Sequence, residues 1–595
     1  MLAKTENRLT NTTVEGAGRA AAWPIVFADT IGLYVPADVE ATPRSAAVLF
    51  LSSWGFEEMC TRKFFRILAE RMAVEGIASL RFDYPSTGDA LDRDDVTLAD
   101  WEASVLAAAG QLRALSGCRT LILVAEGLGS AIAERIKERL DGLAGIAHLA
   151  PSLVGRTYLR ELAVWSKMVD EGLGLGEDQR MTEGVAIASH VMPPKIAEEV
   201  RRLNLAKPER TVAANYLVLE RPVRVADTGL ADALRAAGAD VRFGCFEGYD
   251  DLVANPTIQQ MPMEAVETVI SWLRDVDPEA EPTARPDSMP ESGTLQGEAF
   301  TEIPVRFGVG DRLYGIICMP KERRVDSAVL ITNTGYDRNA GWGRTSLRTA
   351  RNLAALGIPS FRFDTANVAD SPPVPGAPRQ VLYSDWQNDD VRAALDLMAE
   401  RIGGRVAVLG RCSGAYLALR SGYLDPRIGA IVSVNPYVFY WDPAVPVGGK
   451  LQFVPRSLDD YGQRLARLDT FRRVLRGEVD IPAAARNILI ALGKRLARRY
   501  VGITRHLPSN RHVHAEVRRM FDAYAERRMP VRLVYSEADV GLDDLHLHFG
   551  PHNKGLRAYP NVELTMLPDT DHNVTPEASR KIVFEKIVEV AKKIG

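Results

Sequence analysis

Residues 405–414 read RVAVLGRCSG, an apolar run followed at once by Gly410-Arg411-Cys412-Ser413-Gly414. Glycines two before and two after a central nucleophile are the spacing of a strand-to-helix elbow, here with cysteine where serine usually sits. The turn is tight, and glycine at both flanking positions lets strand and helix approach without a Cβ in the way. A nucleophile placed there stands at a helix N-terminus. The macrodipole and the free backbone N–H groups favour negative charge at that point and ease ionisation of a thiol whose free pKa is about 8.5. The pentapeptide therefore points to covalent acyl chemistry. An inert cysteine is the other reading, because free cysteine is among the most buried residue types, and the surrounding sequence decides between the two.

That surrounding sequence repeats. GIASLRFD at 76–83 returns as GIPSFRFD at 357–364, each after a leucine- and alanine-rich amphipathic stretch. Asp100-Trp101 recurs as Asp385-Trp386 and Pro151 as Pro436, both at an offset of 285 residues. The same offset pairs Cys412 with Gly127, so Ala125-Glu126-Gly127-Leu128-Gly129 keeps the shape of the turn without a nucleophile. Near the end of each half an apolar strand leads to EGYDD (247–251) in the first and to PDTDH (568–572) in the second, so that Asp251 stands where the second half has His572. Two losses at corresponding positions predict a degenerate first copy and a live second one.

A chain of 595 residues is long enough for two domains with large cores. The repeat predicts a degenerate domain over 1–274 and a catalytic domain over 300–595. Between them, 275–299 is rich in Pro, Glu and Ser and lacks apolar periodicity, which predicts an exposed linker. A formal charge of −4 with 25% charged residues and no polybasic tail argues against a nucleic-acid partner. The first 18 residues lack the apolar core of a signal peptide, and no stretch approaches the roughly 18 to 20 apolar residues of a membrane span. Five scattered cysteines show neither disulfide nor metal-ligand spacing, so a reducing cytoplasm is expected. No phosphate-cradling glycine loop is present, and no cofactor is expected. His546, His548 and His552 lie close in HLHFGPH, but no Cys or Glu ligand completes a closed pattern, and no metal is expected.

Short apolar runs such as SAAVLFLSS, IASLRFD and TLILVA alternate with helical segments in each half, which predicts an α/β fold with a mostly parallel, doubly wound sheet in each. VRFGVGDRLYGIICM reads as an antiparallel hairpin turning at Gly310-Asp311. With the elbow at 410–414, Asp539 closing VRLVYSEAD, and His572 in DTDHN, the order is nucleophile, acid, histidine. This order resembles the α/β-hydrolase superfamily over most of both halves, as two tandem copies. RFD followed by an elbow is similar to its serine aminopeptidase and acylglycerol lipase-like branch, and cysteine at the elbow is similar to dienelactone hydrolases and polyhydroxyalkanoate synthases. Two features depart from the common pattern: cysteine replaces serine, and the oxyanion loop carries Thr334-Gly335 in place of His-Gly.

The resemblance implies roles for these residues. Cys412 attacks a carbonyl carbon, His572 holds it as thiolate and later activates the acceptor, and Asp539 orients and charge-balances His572. Asp543 and Asp544 follow on the same loop, and either could supply the acid. Oxyanion donors are expected from the backbone of Ser413 and from NTGYDR, at Tyr336. Ser413 competes with Cys412 by residue type, but only Cys412 has glycines at both flanking positions. Asp364 and Asp385 persist in the first copy as Asp83 and Asp100, which marks them as structural, Asp385 as a helix N-cap.

Between Pro436 and the strand at 531 lie about 95 residues, by position a helical cap (about 437–529) over the site. From 450 to 528 it carries 18 Lys and Arg against 8 Asp and Glu. That excess suits an anionic small-molecule or carrier-bound acyl substrate, or else a solvated helical face. Three functions remain open: hydrolysis of an ester, thioester or related acyl substrate, transfer of the acyl group to an amine, thiol or alcohol, and a non-catalytic scaffold. The first half is expected either to pack as a second subunit would or to help cover the live site, and assembly into a homo-oligomer is left open.

Overall fold

A computed structural model of the chain describes residues 22–176, 179–180, 184–208, 210–222, 229–277, 293–377, 380–442 and 508–595. The N-terminal segment, the middle of the expected linker and most of the expected cap, with Arg472-Arg473, Lys494-Arg495 and Arg498-Arg499, lie outside the described residues. The described chain forms two compact units, one of residues 22–381 and 389–404, the other of residues 382–388 and 405–595.

The fold is α/β with mostly parallel strands. In the larger unit eight strands run in the order Trp23–Phe27, Thr30–Val35, Ser79–Phe82, Ala46–Leu51, Thr120–Glu126, Leu143–Leu149, Asn215–Glu220, Asp240–Cys245. Thr30–Val35 pairs antiparallel with both Trp23–Phe27 and Ser79–Phe82, and the remaining pairings are parallel. Ala46–Leu51, AAVLFL, is buried along its whole length, as an uninterrupted apolar run requires when both sheet faces are covered. The same unit holds the hairpin Phe300–Phe307 with Leu313–Pro320, whose turn includes Gly310 at φ 67° as read from the sequence. Parallel strands Ser327–Ile331 and Ser360–Asp364 follow.

Expected linker residues 275–277 and 293–299 belong to this folded unit rather than to an exposed tether. Asp277 ends the helix Met263–Val276 and accepts the backbone N–H of Ala46 at 2.9 Å, while Leu295 is buried in a short strand against Thr301–Glu302. The carboxylate of Asp277 satisfies a strand-end donor that would otherwise be buried alone, which is why it is not in solvent.

Within the larger unit, residues far apart in sequence are joined by buried ion pairs. Asp370 meets Arg62 at 2.8 Å and Arg81 at 2.7 Å. Arg338 meets Asp89 at 2.6 Å, Asp83 at 2.9 Å and Glu58 at 3.1 Å, and Arg362 meets Asp89 at 2.7 Å and Glu302 at 2.8 Å. Burial pushes the Asp370 carboxyl up, but Arg62, Arg81 and Arg338 outweigh it and hold the group at about 2. Of the aspartates of the repeated RFD, Asp83 pairs with two arginines of this lattice, whereas Asp364 accepts the backbone N–H of Asn339 at 2.6 Å. Asp100 closes a capping box with Thr97. Asp385 does not cap its helix, since the helix Asp385–Arg401 begins at that residue; at the matching position Asp100 also lies inside the helix, where a carboxylate still favours the positive helix end.

In the smaller unit four parallel strands, Arg405–Arg411, Ile428–Val434, Val531–Ser536 and Val562–Leu567, lie in that order. The helix Ser413–Leu424 leaves the first strand at the elbow. The last helix of the 437–529 insertion, Pro508–Glu526, packs on it: Tyr524 donates to the Leu419 carbonyl at 2.5 Å, and Phe521 joins Phe439, Phe549 and Tyr559 in one aromatic cluster.

Candidate active site

Cys412 joins strand to helix with φ 56° and ψ −121°, a conformation rarely adopted by a residue with a side chain. Its N–H donates to the Val434 carbonyl at 2.9 Å, which pins the strained residue to the neighbouring strand. Strain of this kind persists only where the surroundings over-determine it. Gly127, 285 residues earlier, takes φ 51° and ψ −121°, with its N–H on Leu149 at 3.0 Å. Ala150 and Asn435, also 285 apart, take φ 47° and 48°.

In the smaller unit the fold brings Cys412, His572 and Asp539 together. His572 Nδ1 lies 2.5 Å from Asp539 Oδ2, and the imidazole interacts electrostatically with the Cys412 thiol. The Asp539 carboxylate is almost wholly removed from solvent, while the His572 side chain is 32% exposed. The second oxygen, Oδ1, accepts the Gly541 N–H at 2.8 Å. A Cβ on Gly541 would stand 2.1 Å from the Pro436 carbonyl, so glycine lets this loop close around the acid. Asp544 spends a carboxylate oxygen on the Phe439 N–H at 2.8 Å, and it is Asp539 that faces the imidazole.

The electrostatics run in one direction. Burial pushes the Cys412 thiol up, but the interaction with His572, the charge of Arg411 and the Ser413 backbone N–H together bring it below the ordinary thiol value. Burial pushes His572 down, and Asp539 and Cys412 more than reverse this, raising the imidazole well above its usual value. Thiolate and imidazolium each favour the other's charged form. The arrangement can therefore present a nucleophilic sulfur and a proton on an adjacent nitrogen at the same time.

The histidine loop is held by residues the sequence reading passed over. Asn435 donates to the His572 carbonyl at 3.0 Å and to Ser536 Oγ at 3.0 Å, and accepts the Ser536 N–H at 2.8 Å. Ser536 donates to the Asp571 carbonyl at 3.0 Å, and Asp571 accepts the N–H groups of Asn573 and Thr575. Polar Asn435 and Ser536 at the ends of largely apolar strands were the available signal.

Ser413, proposed as a backbone donor, is buried at the first helical position, with its N–H toward the thiol. Tyr336 lies in the larger unit, where its hydroxyl donates to Gln380 at 2.6 Å and accepts from the Val381 N–H at 3.3 Å, with Lys63 Nζ 5.0 Å from the ring centre. His548, from the sequence cluster HLHFGPH, pairs with His514 at 3.1 Å. Among the described residues no three His, Cys, Asp or Glu side chains are grouped as metal ligands, and no helix is long and apolar enough to cross a membrane.

Around Gly127 the space is filled. A Cβ there would stand 2.5 Å from Ser53 Oγ and 2.7 Å from Glu57. Glu57 accepts from Ser53, from the Tyr249 hydroxyl and from Arg221 at 3.1 Å, and Thr61 donates to Glu126 at 2.9 Å. Burial and the nearby Glu57 push the Glu126 carboxyl well above its usual range. Tyr249 belongs to EGYDD, the segment that corresponds to the His572 loop, whereas Asp251 points to solvent.

Residues 329–585 match the model of the alpha/beta hydrolase family. Solved structures similar to this chain include an esterase from Pyrococcus furiosus, with 15% identity, 49% of this chain and 93% of that one covered, and a TM-score of 0.28. A hypothetical protein from Pseudomonas aeruginosa has 15% identity over 52% of this chain and 100% of its own, with a TM-score of 0.32. Dienelactone hydrolase from Anabaena variabilis has 12% identity over 49% and 97%, with a TM-score of 0.29. No curated protein matches the chain.

Proposed function

We propose that this protein is a hydrolase that opens an ester, thioester or related acyl bond through an acyl-Cys412 intermediate. The observation that carries the reading is His572, with a buried carboxylate 2.5 Å from its Nδ1 on one side and electrostatic coupling to a thiol at a strained elbow on the other. In the first step the Cys412 sulfur lone pair forms a bond to the carbonyl carbon and the C=O π pair moves onto oxygen. Collapse re-forms C=O and expels the alcohol or thiol, which takes its proton from His572. Water then loses a proton to His572 and adds to the thioester, and the second collapse releases the acid and the thiolate. Asp539 holds the imidazole in one tautomer and offsets its charge through both steps.

The live site belongs to the second of two related copies in this reading. The matching turn geometry at Gly127 and Cys412, and at Ala150 and Asn435, supports the relation. The polar cluster of Ser53, Glu57, Glu126, Arg221 and Tyr249 occupies the place a first-copy nucleophile would need, which supports a structural role for that copy. The basic excess of 450–528 favours an anionic acyl donor.

Intact-protein mass spectrometry tests the reading, with a panel of acyl thioesters and activated esters offered to wild type, Cys412→Ala and His572→Ala. An adduct of acyl mass that requires both residues and decays in water is the expected result. Decay that depends on an added amine or alcohol would redirect the reading to acyl transfer, and no adduct together with ordinary thiol reactivity of Cys412 would redirect it to a scaffold.

A further inference from the structure

Tyr383 stands in the short segment 382–388 of the smaller unit, ahead of the helix Asp385–Arg401. Its ring is clamped: it stacks on Trp441 at 4.6 Å and 13°, and meets Tyr416 edge-on at 5.0 Å and 69°. Tyr416 lies on the elbow helix one turn beyond the nucleophile, with its backbone N–H on the Cys412 carbonyl at 3.2 Å. The segment is further tied down by Gln387, whose side chain accepts the Tyr383 N–H at 3.0 Å, and by Ser421, which donates to Asn388 at 3.4 Å.

Two features of Tyr383 are costly. Its backbone takes φ 62°, a left-handed value unfavourable for an aromatic residue. Its hydroxyl is buried, the residue being only 4% exposed, yet has no hydrogen-bond partner among the described residues. A buried tyrosine oxygen normally finds a partner, and leaving it without one forfeits stability. A phenylalanine would fill the same clamp without that cost. The hydroxyl interacts electrostatically with Cys412 and with Tyr437, and burial followed by the Cys412 charge keeps it protonated far above the ordinary phenol value. It is therefore a fixed O–H donor, unspent, beside the nucleophile.

We infer that the Tyr383 hydroxyl is a catalytic residue that hydrogen-bonds the carbonyl oxygen of the bound acyl group. The inference rests on the acyl-Cys412 reading. As the sulfur bonds to carbon and the π pair moves onto oxygen, the negative charge on that oxygen is met by the Tyr383 O–H, which keeps its proton. On collapse the pair returns to C=O and the hydrogen bond weakens again. A rigid donor aimed where charge develops stabilises the transition state more than the ground state.

The test compares wild type, Tyr383→Phe and Cys412→Ala with p-nitrophenyl acetate as the probe, following the burst of p-nitrophenolate and the acetyl adduct by mass. Tyr383→Phe should acylate Cys412 on the order of 10²-fold more slowly, with KM within about twofold and a Tm equal to or above that of wild type. Its iodoacetamide alkylation rate against pH should overlay the wild-type curve, because the hydroxyl serves the substrate oxygen and not the sulfur. Acylation within about twofold of wild type overturns the role of Tyr383, as does a slowed burst accompanied by a shifted alkylation curve. If wild type itself gains no acetyl group at Cys412, it is the acyl-enzyme reading that fails, and this inference with it.

Discussion

Replacing Asp539 by Asn removes one charge and preserves the shape of the side chain, and the surroundings show why the effect should be large. One carboxylate oxygen accepts from Gly541 at 2.8 Å and the other faces His572 Nδ1 at 2.5 Å. An amide has a single oxygen for these two donors. If Gly541 keeps it, an NH2 group is turned toward the Nδ1–H, and the imidazole must adopt the tautomer that cannot serve Cys412. The electrostatic part follows separately: opposite charges about 4 Å apart at an effective dielectric of 20 interact by about 4 kcal/mol. With a third of the imidazole in water, half of that, about 2 kcal/mol, is a reasonable share to lose. A loss of that size lowers the thiolate–imidazolium population, and hence alkylation of Cys412 at neutral pH, by about 30-fold. Acylation needs the correct tautomer as well and should fall by about 10² to 10⁴. The assay is the second-order rate of iodoacetamide modification read by mass at a series of pH values, with Cys412→Ala as background and thermal unfolding as the check on folding. Rates within about threefold of wild type across the whole series would refute the argument that Asp539 sustains the charge on His572.

The pH dependence of wild-type acylation should form a broad plateau, rising as the lowered thiol ionises and falling as the raised imidazole loses its proton; a single sharp optimum in a stopped-flow series would contradict it. The sign for stability follows the same pair. Cys412, depressed on folding, contributes above its unfolded value of about 8.5 and loses that contribution as pH falls through the folded value. His572, raised on folding, contributes below about 6.5 and loses its contribution as pH rises through the folded value. The urea midpoint of wild type relative to a Cys412→Ala/His572→Ala double variant should therefore be most favourable at intermediate pH. Gly127→Cys should not create a second nucleophile: its Cβ would meet Ser53 and Glu57 under 3 Å at a positive φ, so the variant should unfold at lower temperature and gain no acyl adduct. Residues 300–595 expressed alone should be insoluble or unfolded by circular dichroism. Arg338, Arg362 and Asp370 would lose Glu58, Asp83, Asp89, Arg62 and Arg81, and breaking a buried pair typically costs about 3 to 5 kcal/mol. A soluble, folded fragment would show that those pairs are replaceable.

The elbow was legible because its constraint is local. Five consecutive residues must pass from strand to helix around one exposed side chain, and only small neighbours allow it, so Gly410 and Gly414 announce Cys412 without reference to the rest of the chain. The parallel strands were legible for a similar reason: a strand covered on both faces has to be apolar throughout, as AAVLFL is. The order of the proposed nucleophile, acid and histidine could be read along the chain, but which of Asp539, Asp543 and Asp544 faces His572 could not. Three acids on one loop are equivalent in sequence, and only the turn at Gly541 and the seat of Asp544 on the Phe439 N–H separate them.

The buried lattice of Arg62, Arg81, Arg338 and Arg362 with Asp83, Asp89 and Asp370 was hidden for a related reason. Each pairing joins residues up to about 300 positions apart, and nothing local tells an arginine destined for a buried pair from one on the surface. Tyr383 likewise sits in an unremarkable loop next to an exposed Trp386. That its ring is clamped and its hydroxyl left without a partner beside Cys412 depends on where Trp441 and Tyr416 come to rest. Sequence determined which backbone turns and apolar runs were possible, since those depend on near neighbours. Tertiary structure decided which polar groups meet, because charge and hydrogen-bond partners are chosen by distance in space.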